Sequence, residues 1–161
     1  MSRFRNFSEE LVAAEQVWKA AEHLLEFKFP SIRDPKILLK AVSFLEKVVK
    51  QTMSLVLKLE HTRGNVGITR EGTKNLELFY DIVAPVYGVA FEDVDNFKEV
   101  LDLGKRREEE ELFFSNRGNA IISDGEGGER EVTYAHLIRL LSSVKRVQMA
   151  FKRRLRAVGK I

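Results

Sequence analysis

The strongest constraint on the fold is a long stretch in which mainly apolar residues recur at alternating intervals of three and four. The residues on this spacing are Leu38, Val42, Leu45, Val49, Thr52, Val56 and Leu59. They would share one face of an α-helix, and Asp34 followed by Pro35 is a favourable pair for its start. The pattern predicts a helix of about 27 residues, about 40 Å long.

One further helix is predicted before this long helix and another after it. Ser8 is suited to cap the first helix, and Pro30 is expected to end it. Residues 61–72 contain three glycines and no sustained period, so they are expected to form a loop. Thr73 is suited to cap the next helix, which Pro85 should bend or terminate because proline lacks the backbone N–H.

The C-terminal half is predicted to hold two helices and a hairpin. One helix begins at Glu92 and extends at most through a charged run to Phe114. Short β-favouring segments around a glycine-rich turn predict a β-hairpin over residues 119–133. Thr133 then caps a last helix at 134–157.

These elements predict an all-α fold, a five-helix bundle of the up-and-down type with a small β-hairpin inserted before the last helix. At 161 residues, 1–161 is expected to form a single helical domain with its own core. The chain contains no cysteine, which excludes disulfides and thiolate metal sites. No apolar run approaches the length of a membrane span, so a cytoplasmic protein without membrane contact is expected.

Positive charge is concentrated near the C-terminus. The last thirty residues contain eight lysines and arginines and no acidic residue, although the net charge of the chain is only +3. The cations on the outward side of the last helix are Arg139, Lys145, Arg146, Lys152, Arg153, Arg156 and Lys160. Arg139, Arg146, Arg153 and Lys160 form a line opposite the apolar stripe on a helical wheel, and the other three flank that line. Such a face predicts contact with the phosphates of a nucleic acid, RNA rather than DNA.

Three further roles of surface cations would also produce a basic helix of this kind. Cations favour the C-terminal end of a helix dipole, and they also keep proteins soluble. The acidic remainder of a second subunit is a further candidate partner. The alternative function is therefore a homo-oligomeric accessory protein, for example a dimer, which binds a protein partner through its helices and has no role with nucleic acid.

Catalytic and metal-binding signals are weak. His23, His61 and His136 are isolated in sequence, with no second ligand at a metal-binding interval, so neither a metal nor a cofactor is predicted. Arg63 and Arg117 each precede Gly-Asn, a composition that suits phosphate contact and also ordinary turns. An enzyme that uses His61, Arg63 and Arg117 is a third alternative, but a noncatalytic module is predicted.

The order of elements resembles the HEPN superfamily, in which two long helices precede a shorter pair, a charged arginine-containing segment, a short extended insertion and a last helix. The corresponding stretches are 11–27, 34–60, 73–104, the segment KRREEEELFFSNRGNAIISDGEGGEREVTY and the basic helix. The resemblance implies a helical, often dimeric module associated with RNA or with nucleotidyltransferase partners.

The ribonuclease members of that superfamily are characterised by an arginine followed after four to six residues by a histidine. Arg106 or Arg107 matches the arginine. The positions that would hold the histidine are occupied by Glu111, Leu112, Phe113 and Phe114. Because this histidine is missing, the resemblance predicts a module that does not cleave RNA.

Overall fold

The computed structural model describes residues 3–67, 71–109, 113–114, 119–123 and 128–159. In chain order, its elements are α1 (Arg3–His23), a π-helical turn (Leu24–Lys28), α2 (Phe29–Ile32), α3 (Pro35–Thr62), α4 (Gly72–Tyr87), α5 (Phe91–Glu109), β1 (Phe113–Phe114), β2 (Ala120–Ser123), β3 (Glu129–Val132) and α6 (Tyr134–Ala157). The predicted fold class is confirmed: a bundle of five long helices carries an antiparallel hairpin before its last helix.

The hairpin pairs β2 with β3, and Ala120 lies opposite Val132 while Ser123 lies opposite Glu129. Both strands lie within the predicted range 119–133, and the turn between them lies outside the described residues. β1 pairs with the other edge of β2, which gives a sheet with the order β1-β2-β3. Ala120, Ile122 and Val132 are buried, so the hairpin packs against the helices rather than standing alone.

α3 contacts α1, α4, α5 and α6, so it occupies the centre of the bundle. Every residue of its predicted stripe, from Leu38 to Leu59, is buried. Burial of each large apolar side chain stabilises the fold by about 1.5–3 kcal/mol. Thr52 is the polar member of this stripe, and its hydroxyl donates to the Val48 carbonyl at 2.8 Å and accepts from Gln148 Nε2 at 3.1 Å.

Two predicted helix caps are confirmed. Asp34 accepts a hydrogen bond from the backbone N–H of Lys36 at 3.0 Å, and α3 begins at the following proline. Thr133 accepts from the backbone N–H of His136 at 3.2 Å, and α6 ends at Ala157 as predicted. Both side chains satisfy N–H groups that have no partner within their own helix.

The predicted ends of the first helix were wrong. Ser8 lies inside α1, because the helix begins at Arg3 and thereby buries Phe7 in the core. Pro30 lies in the first turn of α2, where a missing backbone N–H is tolerated, and it does not end the helical segment. The segment ends at Arg33, whose φ of 58° is in the left-handed region.

The start of α4 also differs from the prediction, whereas the end of α5 falls within the predicted limit. The N-cap of α4 is Glu71, two residues before the predicted cap Thr73, which lies inside the helix. α4 passes Pro85 and ends at Tyr87. α5 ends at Glu109, before the furthest predicted limit at Phe114, which lies in β1. None of the described helices has an apolar stretch long enough to cross a membrane.

Candidate nucleic-acid interface

The outward side of α6 carries a row of exposed side chains opposite its buried stripe. We call this row the basic face, and its members are Arg139, Arg146, Met149, Arg153 and Arg156. The helical repeat separates its arginines by about two turns, or about 10 Å, from Arg139 to Arg146 and again to Arg153. The apolar stripe on the other side, from Leu137 to Leu155, is packed in the core.

Two lysines expected on this surface are engaged with α1 instead. Lys145 forms an ion pair with Glu22, and its ammonium lies 4.9 Å from the centre of the Trp18 ring. Lys152 Nζ lies 3.7 Å from Glu15 Oε1. These contacts fix the flank of α6 against α1, so the two lysines are not part of the open basic face.

Arg146 has both a structural contact and an open side. Its Nε lies 3.0 Å from Asp93 Oδ1, and its Nη2 lies 2.7 Å from the same oxygen. Asp93 also accepts from Ser143 Oγ at 2.7 Å, and Ser143 accepts from Asn96 Nδ2 at 2.7 Å. The Asp93 side chain is 7% exposed, whereas that of Arg146 is 54% exposed. Arg146 therefore holds α6 against α5 while its outer edge faces solvent.

The remaining arginines of the basic face are available for other partners. Arg139, Arg153 and Arg156 are exposed and form no ion pair with any residue that the structure describes. A groove of about 500 Å³ lies beside Arg146 and Arg153. The residues that line this groove are Gly88, Val89, Ala90, Asp93, Lys145, Arg146, Met149, Ala150 and Arg153.

The other predicted contact residues lie elsewhere. Lys160 and Arg117 fall outside the described residues. Arg63 is exposed as the C-cap of α3, where its backbone N–H bonds to the Leu59 carbonyl at 3.1 Å. His61 is nearby, and its Nδ1 lies 3.1 Å from the Val66 carbonyl oxygen. Within the described part of the chain neither side chain contacts a carboxylate, so no catalytic grouping is assembled around them there.

A buried carboxylate at the end of α3 was missed by the sequence analysis. Glu60 is fully buried and accepts from Arg154 Nη2 at 2.7 Å, from Asn65 Nδ2 at 3.0 Å and from the Tyr87 hydroxyl at 3.2 Å. Burial and the neighbouring Glu60 charge raise the pKa of Tyr87 far above its usual value. The signal was present, because Glu60 follows Val56 by four residues and therefore continues the buried stripe.

A second cluster joins α5, β3 and the start of α6. Arg130 pairs with Glu99, and its Nη1 also lies 3.5 Å from Asp102 Oδ2. His136 Nε2 lies 3.0 Å from Glu99 Oε2, but the two are not aligned as a hydrogen bond. Burial, then Arg139 and Arg130, lower the pKa of His136 below its usual 6.5.

This second cluster was also missed, although one signal was available. Five residues separate Arg130 from His136, and this interval is within the four to six residues that the superfamily pattern places between its arginine and its histidine. His136 lies on α6 about one helical turn before Arg139, so this residue of the cluster adjoins the basic face.

Among the residues that the structure describes, no group of three histidine or carboxylate side chains is arranged to hold a metal ion. Comparisons with protein-family models, with curated proteins and with solved structures find no match to this chain.

Proposed function

We propose that the protein is a noncatalytic helical module of the cytoplasm that binds RNA through the basic face of α6. The observation that carries the proposal is the contrast between two sets of cations on one helix. Lys145, Lys152 and Arg154 are paired with carboxylates of other helices. Arg139, Arg153 and Arg156 are exposed and have no such partner among the described residues.

The contrast supports a polyanionic partner because the fold pairs some cations of α6 with its own carboxylates and leaves others exposed. A row of guanidinium groups on one rigid helix suits repeated contact with a phosphate backbone. Such contact is independent of sequence and weakens steeply with salt, because bound counterions are released on association. The resemblance of the element order to the HEPN superfamily supports RNA as the nucleic acid.

The test replaces the unpaired arginines and leaves Arg146 intact, because its loss would leave Asp93 buried without its cation. The triple variant Arg139→Gln, Arg153→Gln, Arg156→Gln is expected to bind labelled RNA at least roughly tenfold more weakly at low salt. Each lost phosphate contact should also reduce the slope of log affinity against log salt by about 0.7–0.9. Fluorescence anisotropy at several salt concentrations measures both quantities.

The matched control removes the same charge elsewhere, from the exposed lysines Lys28, Lys36 and Lys47. This triple variant to glutamine should keep most of the affinity. Equal weakening by the two triples, or the absence of salt-dependent binding by the wild-type protein, contradicts the proposal. A change in sedimentation on loss of the α6 arginines, without RNA binding, favours the alternative of a homo-oligomeric accessory protein.

The cluster around Arg130 and His136 favours a second candidate function, which is RNA cleavage. Their interval of five residues matches the arginine-to-histidine spacing that the HEPN resemblance associates with ribonucleases. Burial lowers the pKa of His136, which favours the neutral imidazole that a general base requires. His136 would accept the proton of a ribose 2′-hydroxyl as that oxygen attacks phosphorus. The 5′-oxygen would leave with a proton from water, and Arg130 would stabilise the added charge.

This candidate predicts metal-independent products with 2′,3′-cyclic phosphate ends. His136→Ala should abolish cleavage on a denaturing gel, and RNA with 2′-deoxy substitutions should not be cut. The control His61→Ala changes an exposed histidine at the end of α3 and should cleave as the wild type does. Undiminished cleavage by His136→Ala, or none by the wild type, rejects the candidate without affecting the binding proposal.

A further inference from the structure

A mostly apolar cavity of about 410 Å³ opens between α3, the start of α4 and α5. Its apolar walls are Met53 and Leu57 from α3, Leu76 from α4 and Leu101 from α5. Met53 and Leu57 are buried residues of the core, so packing fixes their positions in the cavity wall. The volume falls in the range of small-molecule sites, which are typically lined by apolar side chains with a few polar groups.

The charged residues that line this cavity differ in whether they form an ion pair. Glu46 Oε1 lies 3.8 Å from Lys50 Nζ, so these two charges offset each other. The Glu46 carboxylate also lies against α5 at Gly104, where any Cβ would overlap it. Lys105, in contrast, is exposed and forms no ion pair with a described residue. Among the described residues that line the cavity, Lys105 is therefore the cation without a carboxylate partner.

The start of α4 adds to this positive character. Gly72, the first residue of α4, lines the cavity together with Asn75. The N-cap residue Glu71 pairs with Lys74 and makes no side-chain capping hydrogen bond. The positive end of the α4 helix dipole therefore lies at the same cavity as Lys105. A mostly apolar cavity with an exposed lysine in its lining is complementary to a molecule that has a hydrocarbon chain and an anionic end.

We propose that this cavity binds a small amphipathic carboxylate. Its hydrocarbon part would lie against Met53, Leu57, Leu76 and Leu101, and its carboxylate would pair with Lys105. Contact with these apolar side chains makes the burial of each methylene of the ligand favourable. Because Glu46 and Lys50 pair with each other, Lys105 is the residue that would bind the carboxylate of the ligand. This site is separate from the basic face and does not depend on RNA binding.

Decanoate, below the concentration at which it self-associates, is the probe for isothermal titration calorimetry on the full chain. Binding at one site per chain is expected, and octanoate should bind roughly fifteenfold more weakly because it lacks two methylenes. Decanol and decylamine test the head group, and acetate tests the head without its tail. All three should bind at least about tenfold more weakly than decanoate.

The variant Lys105→Glu should weaken decanoate binding by about tenfold or more through charge reversal. Its matched control is Lys47→Glu, which makes the same change on an exposed α3 residue outside the cavity lining and should bind normally. Leu76→Trp should block the cavity, with thermal unfolding used to confirm that this variant folds. Equal binding of decanol and decanoate, equal effects of the two charge reversals, or binding of several decanoates per chain would overturn the proposal.

Discussion

Replacing Arg154 with methionine is expected to lower the free energy of unfolding by about 3–5 kcal/mol. The guanidinium of Arg154 is the only cation, among the described residues, that pairs with the fully buried Glu60. Methionine keeps much of the side-chain volume and removes the charge. The variant therefore leaves a carboxylate in the protein interior with Asn65 and Tyr87 as its remaining side-chain hydrogen-bond donors among the described residues. Urea denaturation measures the loss.

The neighbouring residue supplies the control. Arg153→Met makes the same replacement at an exposed position and should change stability by less than about 0.5 kcal/mol. A double variant, Glu60→Leu with Arg154→Leu, should cost much less than the sum of its single changes, because it removes both buried charges together. Arg154→Met unfolding at the same urea concentration as the wild type would show that Glu60 does not need its cation.

Phe151→Ala is expected to destabilise the fold by about 3–5 kcal/mol. Phe151 is fully buried, and its ring stacks on that of Tyr87 with centroids 6.3 Å apart. The change would remove most of a large side chain from the contact between α6 and α4 and would leave a cavity. Thermal and urea unfolding should both move to milder conditions.

Phe91→Ala is the matched deletion at a solvent-facing site, since Phe91 is 80% exposed. It should leave stability within about 0.5 kcal/mol of the wild type. If the two phenylalanine deletions had similar effects, Phe151 would not be the packing anchor that its burial indicates.

The sequence was sufficient to predict which faces of the long helices are buried, because apolar periodicity reports burial directly. It located the stripe of α3 and the caps Asp34 and Thr133 correctly. Helix ends were less predictable, since they depend on packing between distant segments. α1 extends past Ser8 to bury Phe7, and the π-helical turn before Pro30 lets the chain continue through a residue that usually stops a helix.

The state of each cation on α6 was beyond the reach of local sequence patterns. Glu22 precedes Lys145 by 123 positions, and Asp93 precedes Arg146 by 53. Folding brings these charges together. As a result, some cations of α6 pair with carboxylates and others stay exposed to solvent. Arg130 and His136, in contrast, are close in sequence, and a search of the whole chain for their spacing would have found them.

The contacts of Arg146 and Arg154 also constrain the order in which the molecule can form. Asp93 in α5 and Glu60 in α3 both depend on cations that follow them in the chain, in α6. If α3 and α5 packed fully before α6 docked, two carboxylates would be buried without their cations. The earlier helices are therefore expected to stay in a looser arrangement until α6 docks.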